Sequence, residues 1–178
     1  MKLIRPLMRV FFALLYHAFA FSYDLVAGVV SFGRWNDWIR SVVPFIEGPR
    51  VLELGFGPGH LQRILLDLGL FAVGLDESRQ MTALAKRRLV KFYSFGAIQL
   101  STSIQSALQI DYTQIKLTRG AAQYLPFSAN TFNSIVATFP SEYIFEARTL
   151  SEVKRCLLNG GRLIVLPGIC VTHFIKCQ

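Results

Sequence analysis

The chain has 178 residues, of which 52% are hydrophobic, and its formal net charge at pH 7 is +8. This length and apolar content predict one globular domain with a sizeable core and argue against an intrinsically disordered chain. The three cysteines include no C-x-x-C pair, which argues against a disulfide framework or a metal site. The basic residues are scattered and no nucleic-acid-binding motif is present, so we expect no nucleic-acid partner.

The first 46 residues predict a helical segment that precedes the main domain. Lys2, Arg5 and Arg9 come before an uncharged run that reaches Tyr23, which is shorter than the ~20 residues needed to span a bilayer. We interpret residues 1–23 as an interfacial helix at a membrane surface. A lid over a cofactor site and a signal peptide ending near Ala20 are the alternatives.

Residues 51–61, VLELGFGPGHL, join a predicted strand to a predicted helix through a glycine-rich loop. Gly55, Gly57 and Gly59 remove three side chains at the end of the strand, which is typical of a sharp turn or of close approach by a ligand. Their G-x-G-x-G spacing differs from the G-x-G-x-x-G of dinucleotide sites. Glu53 would repel a pyrophosphate but attract a cationic ammonium or sulfonium, so the segment favours S-adenosylmethionine over NAD.

A second predicted strand runs from Phe71 to Asp76. Asp76 stands about where nucleotide-binding α/β folds carry the carboxylate that accepts hydrogen bonds from ribose hydroxyls. The alternative is that Asp76 caps the helix that follows. Because the glycine loop precedes it, we favour the ribose role.

The later segments predict further strands and helices. Residues 91–114 are rich in Ser, Thr and Gln without a clear period, and we interpret them as an insertion that forms a surface excursion. Thr149 and Glu152 fit a capping box at the start of a helix, and the short apolar run from Arg162 to Leu166 fits a buried strand. Strands alternating with helices predict an α/β fold with a mostly parallel sheet, whose ligands bind at the carboxyl ends of the strands.

Several segments are similar to one known family. VLELGFGPGH and AVGLDES resemble the first two motifs of the class I S-adenosylmethionine-dependent methyltransferases, and RGAAQYLPFSANTFNSIVATF and LSEVKRCLLNGGRLIVL are similar to the later ones. The resemblance covers most of residues 23–167. SYDLVAGVVSFGRW resembles the opening of the ubiquinone and menaquinone C-methyltransferases. The family implies a Rossmann-like domain, here residues 47–178, with helices on both faces of the sheet.

The resemblance also implies a set of cofactor-binding residues. The expected contacts to the methionine portion of S-adenosylmethionine are Glu53, Gly55, Phe56, Gly57 and Gly59. The expected ribose contacts are Asp76, Glu77 and Ser78, and the expected adenine contacts are Ala122 and Gln123. The residues expected beside the reactive methyl are Thr138 and Phe139. No residue is identified as a catalytic base. The candidate contacts to the methyl acceptor are Tyr23, Trp35, Glu142 and Tyr143.

Two features depart from the family pattern. Ala121 stands where the family often has an acid that accepts from the adenine amino group. The short ending after Gly168 predicts about five strands and an open edge at the fifth strand, which a partner chain could complete. These departures leave a catalytically weak or inactive cofactor-binding protein as the alternative to a methyltransferase of small or lipophilic acceptors. The expected location is the cytoplasm, with peripheral membrane contact through residues 1–23.

Overall fold

The computed structural model describes residues 34–99, 115–167 and 173–176. The chain divides into two compact units, residues 1–38 and residues 39–178. The first helix, α1 (Trp35–Arg40), begins in the first unit and ends in the second. The predictions for Tyr23 and for the remainder of residues 1–33 lie outside the described residues.

The second unit alternates strands with helices, as the sequence predicts. Its elements are β1 (Arg50–Leu54), α2 (His60–Asp67), β2 (Phe71–Asp76), α3 (Arg79–Gln99), β3 (Lys116–Arg119), β4 (Phe132–Thr138), α4 (Ala147–Cys156), β5 (Leu157–Leu166) and β6 (His173–Lys176). Short 3-10 helices lie at Val43–Phe45 and Glu142–Phe145. Among the described residues, no helix combines the length and the apolar character needed to cross a membrane.

One sheet carries all the strands of the described residues in the order β3-β2-β1-β4-β5-β6. The first five are parallel to their neighbours, which confirms the predicted α/β fold. The predicted open edge at the fifth strand is wrong, because β6 pairs antiparallel with β5, with Leu163 opposite Ile175. The segment HFIK is only four residues long, but it contains the aromatic and β-branched residues that strands favour. A partner chain is therefore not needed to cover β5.

The central strands bury both of their faces, as parallel sheets do. On one face, Leu52 and Leu54 of β1 join Ile135 and Ala137 of β4 in a core that extends to Leu163 of β5. Because β1, β2 and β4 are parallel, their carboxyl ends meet at one edge of the sheet. The glycine loop, Asp76 and Thr138 all follow or end strands at that edge, so the fold brings together the predicted cofactor residues of three separate segments.

Two helices differ from the predictions. Helix α3 continues to Gln99, so the first residues of the predicted insertion are helical, and its residues 100–114 lie outside the described part. Helix α4 begins at Ala147 with Glu146 as its N-cap residue, so the capping box predicted from Thr149 is wrong. Thr149 is instead buried inside the helix. The carboxylate of Glu152 accepts a hydrogen bond from the Leu125 N–H at 2.8 Å, which takes it away from a capping role.

One arginine on α4 anchors the segment between β3 and β4. Arg155 donates to the carbonyl oxygens of Phe127 and Leu125 at 2.7 and 3.0 Å, and to the Glu152 carboxylate at 2.8 Å. The hydrogen bonds from Arg155 hold the pKa of the Glu152 carboxyl below its usual range. A network of charge-assisted hydrogen bonds therefore fixes the segment that begins at Ala122, where the adenine contact is predicted.

Candidate functional site

The glycine loop turns sharply between β1 and α2. Gly55, Gly57 and Gly59 have φ of +71, +51 and +86°, a left-handed region that side chains disfavour. A Cβ at Gly55 would lie 2.7 Å from the hydroxyl of Tyr143, whereas a Cβ at Gly57 would meet nothing within 4 Å. Gly57 is therefore the point where the loop borders open space.

Asp76 connects this loop to the end of β2. Its Oδ2 accepts a hydrogen bond from the Gly57 N–H at 2.8 Å, and its Oδ1 accepts one from the Ser78 N–H, also at 2.8 Å. Burial raises the pKa of the Asp76 carboxyl, and the N–H groups of Ser78 and Gly57 oppose that rise. Each carboxylate oxygen accepts more than one hydrogen bond, so Asp76 keeps capacity for a ligand hydroxyl.

The cap of α3 is supplied by a different residue. Ser78 stands immediately before the helix, and its hydroxyl accepts a hydrogen bond from the Met81 N–H at 3.2 Å. This is the geometry of an N-cap side chain, which bonds the third N–H of its helix. The alternative role for Asp76, as a helix cap, is therefore filled by Ser78.

Glu53 lies beneath the loop and is only 1% exposed. Its Oε2 accepts a hydrogen bond from Nε2 of Gln62 on α2 at 2.9 Å. Burial raises the pKa of the Glu53 carboxyl to about 8, the Gln62 hydrogen bond opposes this, and the charge of Asp76 adds to it. At neutral pH the Glu53 carboxyl is therefore mostly protonated, whereas the predicted attraction to a cation requires the ionised carboxylate.

The end of β4 and the 3-10 helix that follows it form another side of the site. Tyr143 donates from its hydroxyl to the Leu54 carbonyl oxygen at 3.3 Å, which brings its side chain over Gly55. Phe139 has a φ of +51° and donates its N–H to the Leu166 carbonyl oxygen at 2.7 Å. A non-glycine residue in this region is strained, and such strain often occurs at functional sites. Glu142 is exposed.

The other predicted residues stand in four environments. Phe56 and Ala122 are buried. Gln123 donates from Nε2 to the Glu146 carboxylate at 2.8 Å. The carbonyl oxygen of Glu77 accepts from Arg119 Nε at 3.3 Å. Trp35 lies on α1 in the first compact unit, and its acceptor role stays a prediction.

Gln62 is the residue that the sequence analysis overlooks. Its side chain is 1% exposed, although it stands on the polar side of the predicted helix pattern formed by Leu61, Ile64 and Leu65. A signal for it was available, since an acid inside a buried strand needs a hydrogen-bonding partner from a neighbouring element. Which residue of α2 supplies that partner depends on how the helix packs.

The loop also provides a matched pair of glycines for a test. Gly57 and Gly69 both have positive φ, and a Cβ at either would meet nothing within 4 Å, but Gly69 lies at the opposite end of α2. Gly57→Ala and Gly69→Ala should each lower the free energy of unfolding by about 1 kcal/mol, the cost of a left-handed alanine. Only Gly57→Ala should weaken binding of S-adenosylmethionine, by about tenfold. Chemical denaturation and calorimetry measure the two effects. Equal binding losses in both variants would remove Gly57 from the site.

A family model described as "Methyltransferase domain" matches residues 52–165 of the chain. The demethylmenaquinone methyltransferase of Symbiobacterium thermophilum is 32% identical over 163 residues, covering 86% of this chain and 57% of the relative. The ubiquinone/menaquinone biosynthesis C-methyltransferase of Blochmanniella floridana is 28% identical over 159 residues, covering 85% of this chain and 56% of that protein. The chain thus spans about half the length of the curated relatives it matches.

Among solved structures, a putative S-adenosylmethionine-dependent methyltransferase from Methanococcus maripaludis superimposes with a TM-score of 0.58. It is 18% identical in sequence, and the match covers 82% of this chain and 61% of that one. At this identity the likeness supports the fold alone.

Proposed function

The chain belongs to the methyltransferase domain family, and on that premise we propose that it transfers a methyl group from S-adenosylmethionine to a lipophilic quinone-type acceptor. One observation carries the proposal of the donor site: the Asp76 carboxylate, at the end of β2, is hydrogen-bonded to the Gly57 N–H, at the open point of the glycine loop. The relatives supply the acceptor class, because both are named as methyltransferases of quinones or of their biosynthesis.

The residues present fit the proposed donor. Asp76 has acceptor capacity left for the ribose hydroxyls, as described above. Gly57 leaves the loop open to close approach by the ligand. Helix α2 begins at a glycine without a side-chain cap, so the partial positive charge of its N-terminus favours the carboxylate of the amino-acid portion. Glu53, which lies buried beneath the loop, would favour the cationic ammonium group once it is ionised.

The chemistry asks the protein mainly to orient two molecules. When bound, S-adenosylmethionine would supply an electrophilic methyl group on a positively charged sulfur. A nucleophilic ring carbon of the acceptor would accept this methyl group and lose a proton, and the sulfur would leave as a neutral thioether. Thr138 ends β4 at the edge of the sheet where Asp76 lies, Phe139 follows it, and Tyr143 stands over Gly55. We assign these residues the tasks of aligning the acceptor and excluding water, which lower the barrier by fixing the in-line geometry.

The alternative of a catalytically weak partner protein is not favoured. It rested on an open sheet edge and on Ala121. Strand β6 covers the edge. Gln123 stands two residues after Ala121, and its Nε2 donates to Glu146, which leaves the amide oxygen of Gln123 to accept from the adenine amino group.

We further propose a cytoplasmic location with contact to the membrane surface through residues 1–23. Lys2, Arg5 and Arg9 stand before an uncharged run, and a lipophilic acceptor resides in the bilayer. Flotation of the full chain with anionic phospholipid vesicles, compared with the triple variant Lys2→Glu, Arg5→Glu, Arg9→Glu, tests this. Equal flotation of the two proteins would contradict it.

The donor is tested by calorimetry of the purified chain with S-adenosylmethionine and, in parallel, with NAD. We expect binding of the former only, because the spacing of the glycines differs from that of dinucleotide sites. The acceptor is tested by transfer of a labelled methyl group to a demethylated menaquinol with a short side chain, and to catechol as a small polar control. Binding of NAD alone would overturn the proposed donor. Transfer to catechol but not to the menaquinol would overturn the acceptor class.

A further inference from the structure

Glu53 and Gln62 form a closed, buried pair between the sheet and α2. Each side chain is 1% exposed, and Gln62 also donates to the Val73 carbonyl oxygen at 3.4 Å. The strand neighbours of Glu53 are Gly74 on β2 and Val136 on β4, and neither carries a charge. The pair therefore sits in dry surroundings two residues before the loop that faces the proposed donor.

One atom of this pair has no partner. Oε1 of Gln62 is buried, and in the part of the chain that the structure describes it makes no hydrogen bond. An amide group presents a donor at one end and an acceptor at the other, so a half-turn exchanges them. With Nε2 toward Glu53, Gln62 stabilises the carboxylate. With Oε1 toward Glu53, it would accept from the protonated carboxyl group.

We propose that Gln62 is a positioning residue that serves Glu53 in both charge states, so that arrival of the cationic amino-acid group of the donor expels a proton from Glu53. The proposal rests on the proposed function and adds to it a coupling between donor binding and proton release. Neither residue needs to touch the acceptor.

The charges near Glu53 support this coupling. Asp76 is the titratable group whose charge acts on Glu53, and like Glu53 it is an acid, so it opposes ionisation. Among the residues of α3 up to Tyr93, those that face the interior are Met81, Ala85, Leu89 and Tyr93, and the Tyr93 hydroxyl is bonded to Asp67 at the far end of α2. On α2, Arg63 is paired with Asp67 at that same end. With a pKa raised to about 8, Glu53 enters the binding reaction protonated at neutral pH. A ligand cation on the adjacent loop would reverse that balance.

The measurement is the number of protons released per donor bound. Calorimetric titrations of the full chain in two buffers of different ionisation enthalpy give this number directly. We expect Glu53 to release approximately one proton per S-adenosylmethionine at pH 7 and almost none at about pH 9.5, where Glu53 is already ionised. The affinity of the wild type should rise by up to about tenfold per pH unit between about pH 6 and 8. 5′-Methylthioadenosine, which lacks the amino acid and the sulfonium charge, should bind without proton release.

Glu53→Gln provides the blank for these titrations. The amino group of the ligand itself titrates near pH 8, and the variant contains that contribution without the carboxyl group. The variant should bind S-adenosylmethionine with only the proton exchange of the ligand, which is an uptake wherever the free amine is neutral and binds as an ammonium. Wild-type proton release equal to that of Glu53→Gln at pH 7 would overturn the coupling while leaving the proposed function intact. Absence of donor binding at every pH would overturn both.

Gln62→Met tests the positioning role, because methionine keeps the volume and removes both ends of the amide. The carboxylate then loses its hydrogen bond, so the pH at which half a proton is released should move upward and the affinity at pH 7 should fall about tenfold. Leu65→Met, a buried volume-conserving change on the same helix, is the matched control and should leave the pH profile unchanged. A pH profile of Gln62→Met identical to that of Leu65→Met would contradict the role of Gln62.

Discussion

Asp76→Ala is expected to weaken binding of S-adenosylmethionine by at least about 100-fold, because the two proposed charge-assisted hydrogen bonds to the ribose would be lost at about 1.5–3 kcal/mol each. The same substitution frees the Gly57 N–H, so the open point of the loop loses its anchor as well. Asp76→Asn keeps the shape and one acceptor oxygen, and an intermediate loss is expected. Calorimetry with S-adenosylmethionine measures all three proteins.

The control for Asp76 is Asp67→Asn. Asp67 is an acid at the far end of α2, paired with Arg63 and bonded to Tyr93, and no ligand contact is predicted there. Its replacement should leave donor affinity within about twofold of the wild type, since surface ion pairs contribute little. If Asp76→Ala bound the donor as tightly as Asp67→Asn, the ribose role of Asp76 would be wrong.

Glu53→Gln is expected to remove the part of the pH dependence of the unfolding free energy that comes from Glu53. The folded-state pKa of Glu53 is about 8, above the ordinary value of 4.5. A group with a raised pKa contributes stability that is fully present below its unfolded pKa and is lost as the pH rises through its folded pKa. The wild type should therefore lose stability between about pH 4.5 and 8 relative to the variant. The stability of the wild type relative to the variant should fall by about 5 kcal/mol between about pH 4.5 and 9.

Urea denaturation of the two proteins at a series of pH values, without ligand, measures this difference. Glutamine keeps the size of the side chain and its hydrogen bond with Gln62, so cavity formation does not complicate the comparison. Stability curves that run parallel from pH 5 to 9 would mean that Glu53 is ionised and well paired in the folded protein.

The sequence predicts the fold best where the signal is local. The strand from Phe71 to Asp76 has the predicted bounds, because a continuous apolar run between a glycine and an acid marks both of its ends. The strand β6 is missed because four residues carry too little periodic signal, and its stability comes from pairing with β5. The start of α4 is misplaced because Glu152, whose spacing suits a cap, is recruited by Leu125 and Arg155 from a distant segment.

The same distinction applies to the site. The glycine loop and Asp76 belong to two local motifs, and parallel pairing of their strands brings their ends to one edge of the sheet. The burial of Glu53, the partnership with Gln62 and the inward side chains of Phe56 and Ala122 depend on which way each residue faces once α2 and the core have packed. No short-range pattern encodes those directions, so the electrostatic state of Glu53 became visible only in the folded molecule.

The hydrogen bonds from Arg155 to the carbonyl oxygens of Leu125 and Phe127 affect the entropy of ligand binding. These hydrogen bonds order the segment when the protein folds, whether or not a nucleoside is bound. The segment is therefore rigid before the ligand binds, so ligand binding does not carry the entropic cost of ordering it. Discrimination between adenine and a differently shaped base would thus come from a rigid, preorganised surface. A variant in which Arg155 no longer held this segment would accept a wider range of bases.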